Sequence, residues 1–66
     1  MRLENGVYIS REVEQLAKRT LENSMLELDA VLMGTDVEDV LGRPLIYFDF
    51  RSAAGRKISR VYAEPD

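Results

Sequence analysis

The chain has no cysteine, no histidine and no tryptophan among its 66 residues. Without cysteine there can be no disulfide staple and no thiol nucleophile, and without histidine there can be no Cys/His zinc site and no Ser-His relay. No apolar run approaches the roughly 20 residues that cross a bilayer as a helix. The N-terminal Met1-Arg2-Leu3-Glu4-Asn5-Gly6 lacks the apolar segment of a secretory signal. Glycine is sparse, and Gly6, Gly34, Gly42 and Gly55 stand isolated, matching neither nucleotide-binding glycine pattern. These absences predict a cytoplasmic protein that makes no membrane contact, holds no metal or cofactor and is not an enzyme.

What remains is an ordinary folding composition, with 45% apolar and 32% charged residues. A chain of this length makes one small domain, residues 1–66, with flexible ends expected over 1–5 and 64–66. Its own core seldom supplies more than roughly 3–5 kcal/mol, so self-association is the expected supplement once disulfides and metals are ruled out. The net charge of −3 is unevenly placed. Residues 1–42 sum to −5 and residues 43–66 to +2, the latter carrying Arg43, Arg51, Arg56, Lys57 and Arg60.

The periodicity predicts an α+β fold. Gly6-Val7-Tyr8-Ile9 reads as a candidate short strand over Val7–Ile9, and Ser10 as the N-cap of a helix whose first turn carries Glu12 and Glu14. Val13, Ala17, Leu21, Met25, Leu28 and Leu32 recur at three- and four-residue spacing, which predicts one long amphipathic helix from Arg11 to Met33, stopped by Gly34. Leu16 falls off that stripe. Glu14, Lys18 and Glu22 form a charge ladder on its flank. Thr35-Asp36-Val37-Glu38 has the capping-box pattern, predicting a short second helix over Asp36–Leu41 that points Val37, Val40 and Leu41 inward. Gly42 and Pro44 end it.

Leu45–Phe50 and Ile58–Ala63 are strongly β-prone and predict a C-terminal hairpin, with Gly55 at a positive-φ turn position. Alternation places Ile46, Phe48 and Phe50 on the face that packs against the helix, with Tyr47 and Asp49 on the other. Asp49 and Arg60 are a candidate cross-strand pair.

Paired carboxylates at Glu12/Glu14 and at Asp36/Glu38/Asp39 each sit at an expected helix start, where capping accounts for them without acid–base or metal chemistry. The run Asp39-Val40-Leu41-Gly42-Arg43-Pro44-Leu45 resembles the helix-to-loop stretch of PAS sensor domains over seven residues. The chain is too short for that fold, so the resemblance implies nothing further about fold or site.

Two surfaces stand out. Leu26, Ala30 and Met33 form a second apolar line on the expected helix, a candidate protein interface for a homodimer or a different protein unless the rest of the chain wraps it. Arg51, Arg56, Lys57 and Arg60, with Tyr47 and Tyr62 beside them, form a candidate anion or nucleic-acid contact, or a site for an acidic protein partner. The leading expectation is a non-enzymatic regulatory or accessory protein, an inhibitor being one case, that acts by protein–protein interaction as a homodimer. The alternative is a dimeric nucleic-acid-binding regulator using the basic hairpin.

Overall fold

The computed structural model describes residues 1–65. It has one helix and a three-stranded antiparallel sheet of order β1-β2-β3, an α+β arrangement, with α1 over Arg11–Glu22, β1 over Val31–Val40, β2 over Arg43–Arg51 and β3 over Ile58–Ala63. The flexible tail expected at 64–66 reaches Asp66, which lies outside the described residues.

The helix begins as the residues require. The Val13 amide donates to the Ser10 hydroxyl at 3.2 Å, and Glu12 and Glu14 occupy the first turn. Glu14 and Lys18 pair at 3.6 Å. The helix stops at Glu22, eleven residues short of the expected Met33. Asn23 caps it, the Ser24 hydroxyl donates to the Leu21 carbonyl at 2.6 Å, and that hydroxyl accepts the Leu26 amide at 3.1 Å. A serine that satisfies the last turn and then the following amide gives the backbone an alternative to another helical turn. The buried stripe is therefore Val13, Leu16, Ala17, Thr20 and Leu21, and Leu16, which the longer periodicity set aside, packs against the core. Thr20 is buried on this face with its hydroxyl donating to the Leu16 carbonyl.

The second helix expected over Asp36–Leu41 does not form. Those residues belong to β1, which pairs with β2 from Val31↔Arg51 to Val40↔Arg43. The capping-box residues make different bonds: the Thr35 hydroxyl donates to the Tyr47 carbonyl at 2.8 Å, and Glu38 accepts from the Tyr62 hydroxyl. Gly34, expected as a helix stop, lies in the strand beside a register shift between Leu32 and Gly34 that leaves Met33 unpaired as a bulge. Leu41 and Gly42 form a two-residue turn with φ of +53° and +82°, the signature of a hairpin whose two central residues are both left-handed.

The C-terminal hairpin forms as expected, with Phe48 opposite Val61 and Asp49 opposite Arg60. Phe48 is 0% exposed and centres a core of Leu3, Ala17, Leu21, Leu32 and Phe50. Gly55 has no positive φ; the turn is held by the Ser52 amide on the Lys57 carbonyl and the Gly55 amide on the Ser52 carbonyl. Val7–Ile9 does not join the sheet. It folds back on the N-terminus through an Arg2↔Tyr8 bridge, and Leu3, in the segment read as a flexible start, is 3% exposed.

Candidate functional site

Alternation sends Phe48 and Phe50 toward α1 and leaves Asp49, Tyr47, Arg60 and Tyr62 on the opposite, uncovered face of the sheet. Arg60 donates to both carboxylate oxygens of Asp49, at 2.8 and 3.0 Å, and its guanidinium lies 3.8 Å from the centroid of the Tyr47 ring. Tyr47 meets Tyr62 edge-on at 6.2 Å, and the Tyr62 hydroxyl donates to Glu38 at 2.5 Å. The Asp49 hydrogen bonds raise the Arg60 pKa above its ordinary value, so its charge is permanent. The Glu38 hydrogen bond raises the Tyr62 pKa, because ionising the phenol would lose that bond. Asp49 with Arg60 and Glu38 with Tyr62 are thus partnered within the sheet.

That arrangement divides the basic cluster expected from the sequence. Arg60 is bound to Asp49, Arg51 donates to Glu4 at 3.1 Å, and Arg43 pairs with Glu64. Arg56 and Lys57, exposed on the turn after β2, have no ion pair among the described residues. Tyr47 and Tyr62 lie beside Arg60 on the sheet face, and Arg56 and Lys57 lie on the turn that precedes β3.

The structure also redistributes the apolar line Leu26, Ala30 and Met33. These residues share no helix face, since Leu26 and Ala30 lie on the 23–30 crossover segment and Met33 on the bulge of β1. Leu26 and Ala30 pack against the core. Together with Met25 and Phe50 they line a depression of about 190 Å³, to which Lys57, Ser52, Ser59 and Glu27 also contribute. Two residues expected on the core stripe instead face water: Met25 is fully exposed and Leu28 is 71% exposed. The crossover segment thus places an apolar floor beneath a lysine, one residue from Arg56.

A second feature lies at the other end of β2. Leu41, expected to point inward from a short helix, is fully exposed at the tip of the β1–β2 hairpin, and Val37 is 60% exposed. Asp39 and Arg43 each lie two residues from Leu41, with Glu38 and Asp36 further back along β1. The turn carries little sequence signal: Gly42 suits the second left-handed position, but the first holds leucine where Asn, Asp or Gly is usual. Among the described residues, no group of three or more carboxylates or other ligating side chains converges as a metal site. No helix is long and apolar enough to cross a membrane. No protein family, curated protein or solved structure matches the chain.

Proposed function

We propose that this chain is a non-enzymatic regulatory or accessory module that works by docking on protein, and that its docking site is the depression between the crossover segment and the β2–β3 turn. One observation carries the reading: Met25 is left in water at a depression whose lining joins Leu26, Ala30 and Phe50 to Glu27 and Lys57. Exposing large apolar side chains costs solvation free energy, and their clustering at a concave site is the mark of a surface that is covered in use. Glu27 and Lys57 on its lining offer one charge of each sign to whatever enters.

The nucleic-acid reading has less support. Ion pairs hold Arg43, Arg51 and Arg60, which leaves Arg56 and Lys57 for phosphate on a chain of net charge −3. Two phosphate contacts give little affinity at physiological salt.

The docking reading is tested by NMR titration with a linear peptide of alternating glutamate and leucine. Resonances of Leu26, Ala30 and Lys57 should shift together on saturation, and Lys57→Glu should weaken binding at least tenfold. Shifts confined to other residues, or no saturable shift, would remove the site.

A further inference from the structure

We propose that Asn5-Gly6 is a latent self-modification site: the folded N-terminal arm withholds it, opening of the arm lets it cyclise, and the isoaspartyl product keeps the arm open.

Residues 1–9 form a small hairpin. The Ile9 amide donates to the Met1 carbonyl at 2.9 Å, the Leu3 amide to the Val7 carbonyl at 2.8 Å and the Gly6 amide to the Leu3 carbonyl at 2.9 Å. Gly6 stands at φ +87°, the left-handed position that closes a three-residue hairpin loop. The Asn5 side chain reaches two residues on, its Oδ1 accepting the Val7 amide at 3.0 Å. Leu3, at the base of this loop, is buried in the core, and Glu4 ties the arm to Arg51 of β2 at 3.1 Å. Asn5 and Gly6 themselves are exposed.

An asparagine followed by glycine carries its own nucleophile, which makes the attack unimolecular. Once the Gly6 amide nitrogen loses its proton it can attack Asn5 Cγ, and no side chain on Gly6 obstructs the approach. The new N–Cγ bond closes a five-membered imide, the Cγ–Nδ2 bond breaks, and Nδ2 leaves as ammonia carrying that proton. Water then opens the ring. Attack at Cγ leaves an ordinary aspartate; attack at the Asn5 main-chain carbonyl leaves an isoaspartate, whose backbone runs through Cβ and Cγ. Nothing is oxidised or reduced, and water is the sole co-reactant. Asn23, the other asparagine in the chain, is followed by Ser24, whose side chain hinders the same attack.

The loop acts on the two reacting groups in opposite directions. The Val7 amide on Oδ1 draws charge from Cγ and favours the oxyanion of the attack, so the electrophile is primed. The Gly6 proton is held on the Leu3 carbonyl, so the nucleophile is withheld. The second effect decides, because an amide that keeps its proton does not attack. Cyclisation therefore runs through the opened arm, at a rate set by how much of it is open. The isoaspartyl product does not close again. It lengthens the main chain by one atom inside a loop whose two closing bonds, Leu3 to Val7 and Gly6 to Leu3, both span residue 5. An ordinary aspartate keeps the backbone length and an oxygen for the Val7 amide, so it leaves the arm closed.

The test follows isoaspartate at residue 5 by peptide mass mapping, and amide exchange by NMR, in the full chain at neutral pH. Loss of the Gly6 proton is common to exchange and cyclisation, so both should be at least tenfold slower in the native chain than in the same chain unfolded in urea. Leu3→Ala, folded or not, should raise both rates at least tenfold over wild type. In the isoaspartyl chain the Leu3 amide should exchange at least tenfold faster than in wild type, whereas Asn5→Asp should leave it protected. Equal cyclisation in native and unfolded chains, no isoaspartate at residue 5 in urea, or no acceleration in Leu3→Ala overturns the inference. So does a Leu3 amide that stays protected in the isoaspartyl chain, or one that loses protection in Asn5→Asp, where charge alone would be the cause.

Discussion

Phe48 shows how much of this fold depends on single side chains. It has no exposed surface, and its ring lies 6.2 Å from that of Phe50, so truncation leaves a cavity that a sheet pinned on both sides cannot collapse to fill. Phe48→Ala should cost about 3–5 kcal/mol in urea unfolding, enough to unfold a domain of this size. Leu3 lies in a segment that looks dispensable but is buried in the same core. Leu3→Ala should cost roughly 2–5 kcal/mol, and a loss near zero would show that the N-terminal hairpin is not docked in solution. Tyr62 provides a pH test. Its folded pKa is raised by the bond to Glu38, so the bond contributes stability that is fully present below the unfolded phenol value of about 10 and is lost as pH rises through the higher folded value. Absorbance titration should therefore show a phenolate component appearing above pH ~10 that Glu38→Gln moves to lower pH.

Among the elements, the β1–β2 hairpin departs furthest from local preference and α1 conforms most closely to it. Ser10→Ala should lose about 1 kcal/mol by removing the oxygen that accepts the Val13 amide. At the hairpin turn the two central positions should respond with opposite signs. Gly42→Ala forces a Cβ into a φ of +82° and should destabilise by roughly 1–2 kcal/mol, whereas Leu41→Asn should stabilise. Thermal unfolding of both variants checks the pair, and a loss of stability in Leu41→Asn would mean that leucine is packed at the turn rather than exposed. The helix stop was readable in Asn23-Ser24, whose side chains favour turns, but the three- and four-residue spacing continued through them by coincidence. The second helix was misread because Thr35–Glu38 satisfies the capping pattern, while the alternation that marks a strand is missing. This half of β1 runs beyond the helix, so apolar side chains are not confined to one face; Asp36, Val37 and Asp39 are all exposed.

The whole molecule measures 35 × 24 × 18 Å, and the nine residues of β2 separate the β1–β2 turn from the β2–β3 turn. The first turn leaves Leu41 in water, and the second adjoins a depression lined by Glu27 and Lys57 as well as by apolar side chains. Because the turn supplies only two cations without an ion pair among the described residues, an electrophoretic assay at about 0.15 M salt should not retard duplex DNA. Retardation lost in Arg56→Ala/Lys57→Ala would favour the nucleic-acid reading over docking.

The sequence alone was enough to determine the start of the helix, the two strands of the C-terminal hairpin and the inward set Ile46, Phe48 and Phe50, because each depends on neighbours in the chain. It also showed that the basic residues gather in the last third. The hairpin register, and with it the candidate Asp49–Arg60 pair, was decided by the structure. Tertiary structure decided where the helix ends, that residues 31–40 form a strand, which of the cations are already held, and that Leu26 and Ala30 lie behind Lys57 rather than along a helix. The physical reason is that β1 owes its conformation to β2, whose paired residues are up to 20 positions away in sequence, from Val31 to Arg51. A segment with adequate local signals for a helix becomes a strand when an already formed hairpin offers it a ladder of hydrogen bonds and a place for Leu32 in the core.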